Sequence, residues 1–371
     1  MVLLRILAAL ALAPPATLAS QQAPRTATGS GGITLVRELA IGTDTAGPEY
    51  EFVAIGATAA THSGSVYVSA YDGAAEQIRK YDASGHFRGT VGRPGAGPGE
   101  YRSVDGMALV GGSVLLVYDR LNGRVTLFDT AGVYRSSFRM SGFMFGHNYF
   151  VAFSDGTIGV RRLVPAADGE TGLMRSLFVR YRLDGSVVDS MAVPPERMGG
   201  MEIRGPSIGT RSAFDMTTVF AVLPGGGIAT AHTSRYRIEV VPAAGRPFTI
   251  VRDATPIPLE SGEREEWEAL VAAMGRQAAR LQVTIPRHKP IMRGLFGDAD
   301  GRIRVDLYTR ATHQGMSSSP GATRRPSLTW YEHNAYDVFD ERGGYLGRID
   351  LAPSARLVAV LESRIWVSEH T

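Results

Sequence analysis

Cysteine is absent from all 371 residues, which removes disulfide frameworks, thiolate metal ligands and thiol nucleophiles. Stability must then come from packing alone. Lysine is almost absent. Of 39 Lys and Arg residues, only Lys80 and Lys289 are lysines, and the arginines are dispersed along the chain. With 36 acidic residues the formal net charge is +3, and no basic stripe is present, which excludes a nucleic-acid partner. The arginine excess reads as compositional bias. Asparagine occurs only at Asn122, Asn148 and Asn334. The 8 histidines show neither H-x-x-x-H nor H-E-x-x-H spacing, so no metal ligands are assigned. No apolar run reaches the roughly 20 residues of a membrane-crossing helix, so no transmembrane helix is expected in the mature chain.

What is present begins at the N-terminus. Arg5 is followed by the apolar run Ile6–Ala13, then Pro14 and Pro15, then the small residues around Thr17-Leu18-Ala19. This order reads as a secretory signal peptide over residues 1–20, with an exported, periplasmic or extracellular destination. Residues 21–32 are polar and rich in Gly, Ser and Thr, and read as a flexible linker. Residues 33–371 form the folded domain.

That domain repeats. A turn followed by a short β-prone run occurs at Gly64-Ser65, Gly112-Ser113, Asp155-Gly156-Thr157, Gly225-Gly226-Gly227, Asp300-Gly301-Arg302 and Ser363-Arg364. A second signal places Gly four residues after an apolar strand end: Tyr81/Gly85, Phe128/Gly132, Tyr181/Gly185, Val241/Gly245 and Phe339/Gly343. The first Gly-to-Gly separation, 132 − 85 = 47, is that of a four-stranded propeller blade. Six signals of one kind and five of the other predict a six-bladed β-propeller whose last outer strand, Ile33–Ile41, comes from the N-terminus. That strand is expected beside Ile365-Trp366-Val367, in a final blade of three strands. An open β-sandwich is the alternative, since it needs no period.

The stretch Ile78–Tyr134 resembles NHL-repeat and related bacterial six-bladed propellers. The residues that carry this are Tyr81-Asp82-Ala83-Ser84-Gly85, the Gly92–Gly99 loop ending in Gly99-Glu100-Tyr101, Tyr118-Asp119, and Phe128-Asp129-Thr130-Ala131-Gly132. The resemblance implies a fold. It implies little function, because propellers host binding modules and unrelated enzymes alike.

One segment breaks the β pattern. Trp267, Leu270, Val271, Met274, Ala278 and Leu281 recur at helical spacing, which predicts an α-helix over about 261–282 within an insertion around 256–288. Ser261 is its expected N-cap, and Trp267, Leu270 and Met274 are expected to face the propeller. Three motifs reduce to turns and loops. Gly205-Pro206-Ser207-Ile208-Gly209 has the spacing of a nucleophile elbow but lacks the strand and helix that the elbow needs. Gly92–Gly99 is too proline-rich for a phosphate cradle, because Pro94 and Pro98 have no N–H. Asp298-Ala299-Asp300-Gly301 opens like a calcium loop, but its twelfth position is Thr309 rather than Glu.

No catalytic residues are assigned. Tyr50, Arg102, His147 and Lys289 each precede an expected innermost strand, and are the candidate ligand-binding residues at the channel mouth. The favoured reading is a binding or scaffold module for a small-molecule, glycan or protein ligand. The alternative is a metal-dependent hydrolase or lyase at the central channel.

Overall fold

The computed structural model describes residues 1–9, 25–26, 32–42, 47–71, 75–140, 150–165, 174–194, 201–204, 207–210, 214, 216–276, 284–313, 329–361 and 364–369. It is a six-bladed β-propeller. Each blade is a four-stranded antiparallel core. Blade one runs through Ala54–Ala60, Val66–Tyr71, Glu76–Tyr81 and Phe87–Val91. Blade two comprises Gly106–Val110, Val114–Asp119, Arg124–Asp129 and Tyr134–Arg139. Blade three comprises Phe150–Ala152, Ile158–Pro165, Met174–Tyr181 and Val187–Val193. Blade four comprises Thr218–Val222, Ile228–His232, Arg237–Val241 and Phe248–Val251. Blade five comprises Met292–Gly297, Ile303–Leu307, Asn334–Phe339 and Tyr345–Leu351. Blade six joins Ala355–Leu361 and Arg364–Glu369 to Val2–Ala9 and Thr34–Ile41.

The first strands touch between blades one and two, two and three, four and five, and six and one, so they line the centre. The second strands of blades one and two are buried on both faces, and Val66-Tyr67-Val68-Ser69-Ala70 is buried throughout. Such a strand reads as a continuous apolar run rather than an alternating one. Outer strands such as Tyr134–Arg139 are mostly exposed and polar. Apolar clusters fill every interface between successive blades. Tyr67, Ile78, Leu115 and Phe128 fill the first, and the ring closes where Leu3, Ile41 and Trp366 meet Val66 and Tyr81.

One turn recurs at one end of the blades. In 61–65, 153–157, 223–227 and 298–302, and again in 82–86, 129–133, 182–186 and 340–344, the first N–H donates to the fifth carbonyl and the fourth N–H to the first. The fourth residue is always Gly, with φ between 79° and 91°. That left-handed conformation is open to Gly at no steric cost, and it places a bulge in the strand pair. At Asp82, Asp129 and Asp340 the side chain accepts two further amides of its own turn, as when Asp129 Oδ1 takes Ala131 N at 3.0 Å and Val133 N at 2.9 Å. Eight of the eleven repeat signals read in the sequence are this turn; Gly112-Ser113 and Val241/Gly245 make different connections, and Ser363 lies outside the described residues.

Blade six differs from expectation. Thr34–Ile41 is its outermost strand, but its partner is Val2–Ala9, which lies between it and Arg364–Glu369. The final blade therefore has four strands rather than three. In the intact chain Val2–Ala9 is a strand. The reason is that an apolar run serves a doubly buried strand well: Leu3 points into the interface with blade one and Leu4 into that with blade five. Residues 10–24, including the expected cleavage site, lie outside the described residues. In the expected linker, Arg25–Thr26 pairs in parallel with Phe248–Val251, and Gly32 bridges Arg348.

The arginines also have a structural use that composition alone does not show. Arg79, 3% exposed, donates to the carbonyls of Glu49 and Glu51. Arg124 grips those of Ala96, Gly97 and Glu100. A planar guanidinium reaches several carbonyls of an incoming loop at once, which an ammonium group does less well.

Candidate ligand-binding face

Antiparallel blades give the ring two faces. One carries the tight turns. The other carries the connections into each innermost strand and those between second and third strands. The helix and both extra hairpins lie there: α1 (Ser261–Met274), the hairpin of Met201–Arg204 with Ser207–Thr210, and that of Ala311–His313 with Trp330–Glu332. Ser207 thus opens a hairpin strand and is not a nucleophile elbow. Asp298–Arg302 is a hairpin turn on the opposite face, and Gly92–Gly99 is a loop between blades one and two.

The helix begins one residue earlier in its capping than expected. Glu260, not Ser261, is the N-cap, in a reciprocal capping box with Glu263. The helix is held against blade five and its hairpin. Trp267 meets Phe214 edge-on at 5.4 Å, Thr329 N donates to Glu266 at 2.7 Å, and a side chain at Gly262 would collide with the Trp330 ring. Under it lies Lys289, 1% exposed, with Nζ 2.8 Å from Glu263 and 2.9 Å from Glu332, and donating to Thr309 O at 3.2 Å. Arg293 holds the other oxygen of Glu332 at 2.6 Å. Nearby, Asp306 lies 3.7 Å from Arg293, and burial pushes its carboxyl up to about 6 despite that arginine.

A cleft of about 310 Å³ opens beside this network, between blades four and five. Its floor is Asp337, fully buried in the third strand of blade five. Asp337 accepts from Tyr236 OH at 2.7 Å, Arg348 Nε at 2.8 Å and Tyr345 OH at 3.2 Å. Arg252 stands 3.7 Å from Asp337 and stacks on Tyr345. Burial first, and then the Asp337 charge, push the Tyr236 phenol well up. The hydrogen bond to Asp337 likewise raises Arg348. The walls are Ile257, Pro290, Ile291 and Leu307, and the rim carries Arg310 and Thr255.

A larger groove of about 550 Å³ lies on the turn face between blades one and two. Its polar groups are matched internally: Tyr67 OH and Lys80 Nζ both donate to Thr130 O, and Thr61 bonds Ser63 and Ser65. It is built from two of the repeating turns and the shorter Gly111-Gly112 turn, with no inserted helix or hairpin, so the cleft between blades four and five is the stronger candidate.

The residues expected at the mouth stand as follows. Arg102 and Lys289 lead into innermost strands from the loop face; Tyr50 also precedes one, but its hydroxyl reaches the turn end of the outer strand of blade one, beside the 82–86 turn. Tyr50 is half-buried, accepts Phe87 N at 2.9 Å and packs on Tyr81. Arg102 is exposed, with its backbone N donating to Asp119 at 2.9 Å. Lys289 is consumed by the buried network, and His147 lies outside the described residues. Sequence reasoning missed Tyr236, Arg252, Asp337 and Arg348. A charged residue inside the otherwise apolar strand Ala335-Tyr336-Asp337-Val338-Phe339 was the available signal. Among the described residues, no three His, Asp or Glu side chains are grouped to hold a metal ion. No described helix is long and apolar enough to cross a membrane.

No family model matches the chain, and no curated protein matches it. Solved structures do. A DUF4221-family protein of Bacteroides vulgatus is 10% identical over 86% of this chain and 92% of that one, with a TM-score of 0.49. A regucalcin of Agrobacterium tumefaciens, a calcium-binding protein, is 13% identical over 83% and 78%, with a TM-score of 0.35. A virginiamycin B lyase of Staphylococcus aureus is 9% identical over 84% and 94%, with a TM-score of 0.37.

Proposed function

We propose that this chain is an exported binding propeller that takes a small polar ligand on its loop face. One observation carries this reading: the helix and both supernumerary hairpins gather on one face, while eight connections of the other are copies of a single turn. Rigid scaffolds commonly concentrate recognition in such connections. Arg102 and His147 are the remaining candidates at the channel mouth. The NHL likeness belongs to the same proposal, supported by the Asp-x-x-Gly turns and by Asp119, which accepts the amides of Arg102 and Asn122. Export rests on the composition of residues 1–20. N-terminal sequencing of the exported protein tests the leader: a start near Ser20 or Gln21 supports cleavage, and blade six of the mature protein then lacks Val2–Ala9, whereas an intact Met1 refutes cleavage and keeps that strand.

The test of the binding reading is a thermal-stability screen of the full chain against small polar compounds, with metal content measured on the same sample. Saturable stabilisation without turnover is the expected result. Turnover of a stabilising compound together with stoichiometric calcium or zinc would replace this reading with the metal-dependent hydrolase or lyase.

A further inference from the structure

We infer that the cleft between blades four and five is a site for a small organic anion, a compact apolar body bearing a carboxylate or phosphate group. The inference rests on the binding reading above and gives it a place and a ligand chemistry. The cleft, at about 310 Å³, is near the lower end of small-molecule pockets, which excludes a polymer or a nucleotide-sized ligand from full enclosure.

Charge decides the sign of the ligand. Arg252, Arg310 and Arg348 line the cleft against Asp253 and Asp337, and His333 adds to the positive side when protonated. Arg348 and Asp337 offset one another, with two phenols also donating to that carboxylate, so the positive side rests on Arg252 and on the mostly exposed Arg310 against Asp253. Arg348 commits Nε and Nη2 to that carboxylate, yet its side chain is still 42% exposed. Arg310 lies at the rim, 69% exposed, 3.2 Å from Glu260. A guanidinium fork held by a buried carboxylate is pre-oriented for a second oxyanion, and its planar geometry suits carboxylate and phosphate alike.

The walls decide the body. Ile257, Pro290, Ile291 and Leu307 offer no charge to a ligand. A bare inorganic ion would leave that surface unused, whereas an apolar body would cover it. The positions are also fixed: Thr309 is tied through its N–H to Glu332 and through its carbonyl to Lys289, so the wall beside the helix does not give way readily.

The experiment titrates the full chain by calorimetry with benzoate, phenyl phosphate, inorganic phosphate and the neutral isostere benzamide, at constant ionic strength. Saturable binding of benzoate or phenyl phosphate with a Kd of about 1 mM or tighter is expected. Benzamide and inorganic phosphate should bind at least tenfold more weakly. Whichever of benzoate and phenyl phosphate binds more tightly identifies the anionic group. Arg310→Gln should weaken binding severalfold, and Ala254→Trp, which puts a bulky ring at a residue lining the cleft, should abolish it. Ser63→Trp, in the groove on the turn face, should leave it unchanged. Equal binding of benzamide, no saturation by either organic anion up to about 10 mM, or full binding by a folded Ala254→Trp variant would overturn the assignment. A compound from the stability screen that still binds Ala254→Trp would preserve the binding reading while sinking this site.

Discussion

The turn face and the loop face of this ring are made by the same chain under different constraints. On the turn face, two strands must reverse within five residues, and one arrangement does so cheaply: a turn whose fourth residue is a left-handed Gly. Each copy satisfies itself from its own residues. On the loop face, the chain must cross from the outside of one blade to the centre of the next, a longer path with no single best solution. The crossings are instead held by distant groups. Arg79 holds Glu49 and Glu51, Arg124 holds Ala96 and Gly97, and Tyr236 reaches Asp337, 101 residues away. Uniformity is thus local chemistry repeated, and individuality is long-range chemistry that a ligand can exploit.

The largest expected effect abolishes the comparison, because it opens the ring on which both faces depend. Deleting residues 1–9 removes a strand paired on both sides and takes Leu3 and Leu4 out of two blade interfaces. The melting temperature should fall by at least 10 °C as an order-of-magnitude figure, since several kcal/mol of apolar burial and two ladders go together. Deletion through Ile41 should lower it further. A chain lacking residues 1–9 that melts with the intact one would show that Thr34–Ile41 closes the ring unaided.

Next in size is a test confined to the loop face. Asp337→Ala leaves the Arg348 guanidinium and the Tyr236 phenol facing an empty floor. Removing one member of a buried ion pair costs about 3–5 kcal/mol, and the partial exposure of Arg348 sets the expectation at the lower end, about 3 kcal/mol, by urea denaturation. Asp337→Asn, which keeps an acceptor for Tyr236, should cost clearly less. Equal losses would mean that shape rather than charge holds the floor.

The pH dependence separates the faces by sign. On the loop face, the Asp306 carboxyl is raised to about 6, chiefly by burial. The folded protein therefore binds this proton more tightly than the unfolded chain does. The contribution is fully present below about pH 4 and is lost as pH rises through 6, on the order of 3 kcal/mol in all. Asp306→Asn should abolish that loss. On the turn face the sign is reversed. The Val133 amide, followed by Arg135, holds Asp129 below its ordinary value. Asp82 is pulled down to about 2: partial desolvation opposes the shift, but the His86 amide, Arg88 and the Ser84 amide outweigh it. Their contribution is present above pH 4 and fades as pH falls toward 2. A urea series from pH 3 to pH 7 on the wild type and Asp306→Asn reads both. Parallel curves for the two proteins would remove Asp306 from the account.

What was legible in the sequence follows the same division. The six blades, the strand ends and the turns could be read because Asp129, Gly132 and their kind lie within one short window. The floor of the cleft could not, because nothing local pairs Tyr236 with Asp337 or Lys289 with Glu263. Lys289 illustrates the limit: its place before an innermost strand was visible, but the acids that bury it come from a helix and a hairpin. Val2–Ala9 illustrates another, since an apolar run that suits a leader equally suits a strand between two blades.

The smallest expected effect concerns a single copy of the repeated turn. In Asp129→Ala the backbone hydrogen bonds of the turn, Asp129 N to Val133 O and Gly132 N to Asp129 O, are untouched. Only the side-chain acceptance of Ala131 N and Val133 N and the contact with Arg135 are lost, and the freed amides lie at the surface where water replaces the carboxylate. The melting temperature should therefore fall by no more than roughly 2 °C. Gly132→Ala, at φ 91° and 3.1 Å from Val91, should fall further, because it strains the backbone and crowds the neighbouring blade. This order is what a turn held by its backbone requires. If Asp129→Ala proved the worse of the two, the carboxylate and not the left-handed Gly would be the part that the turn face repeats for stability.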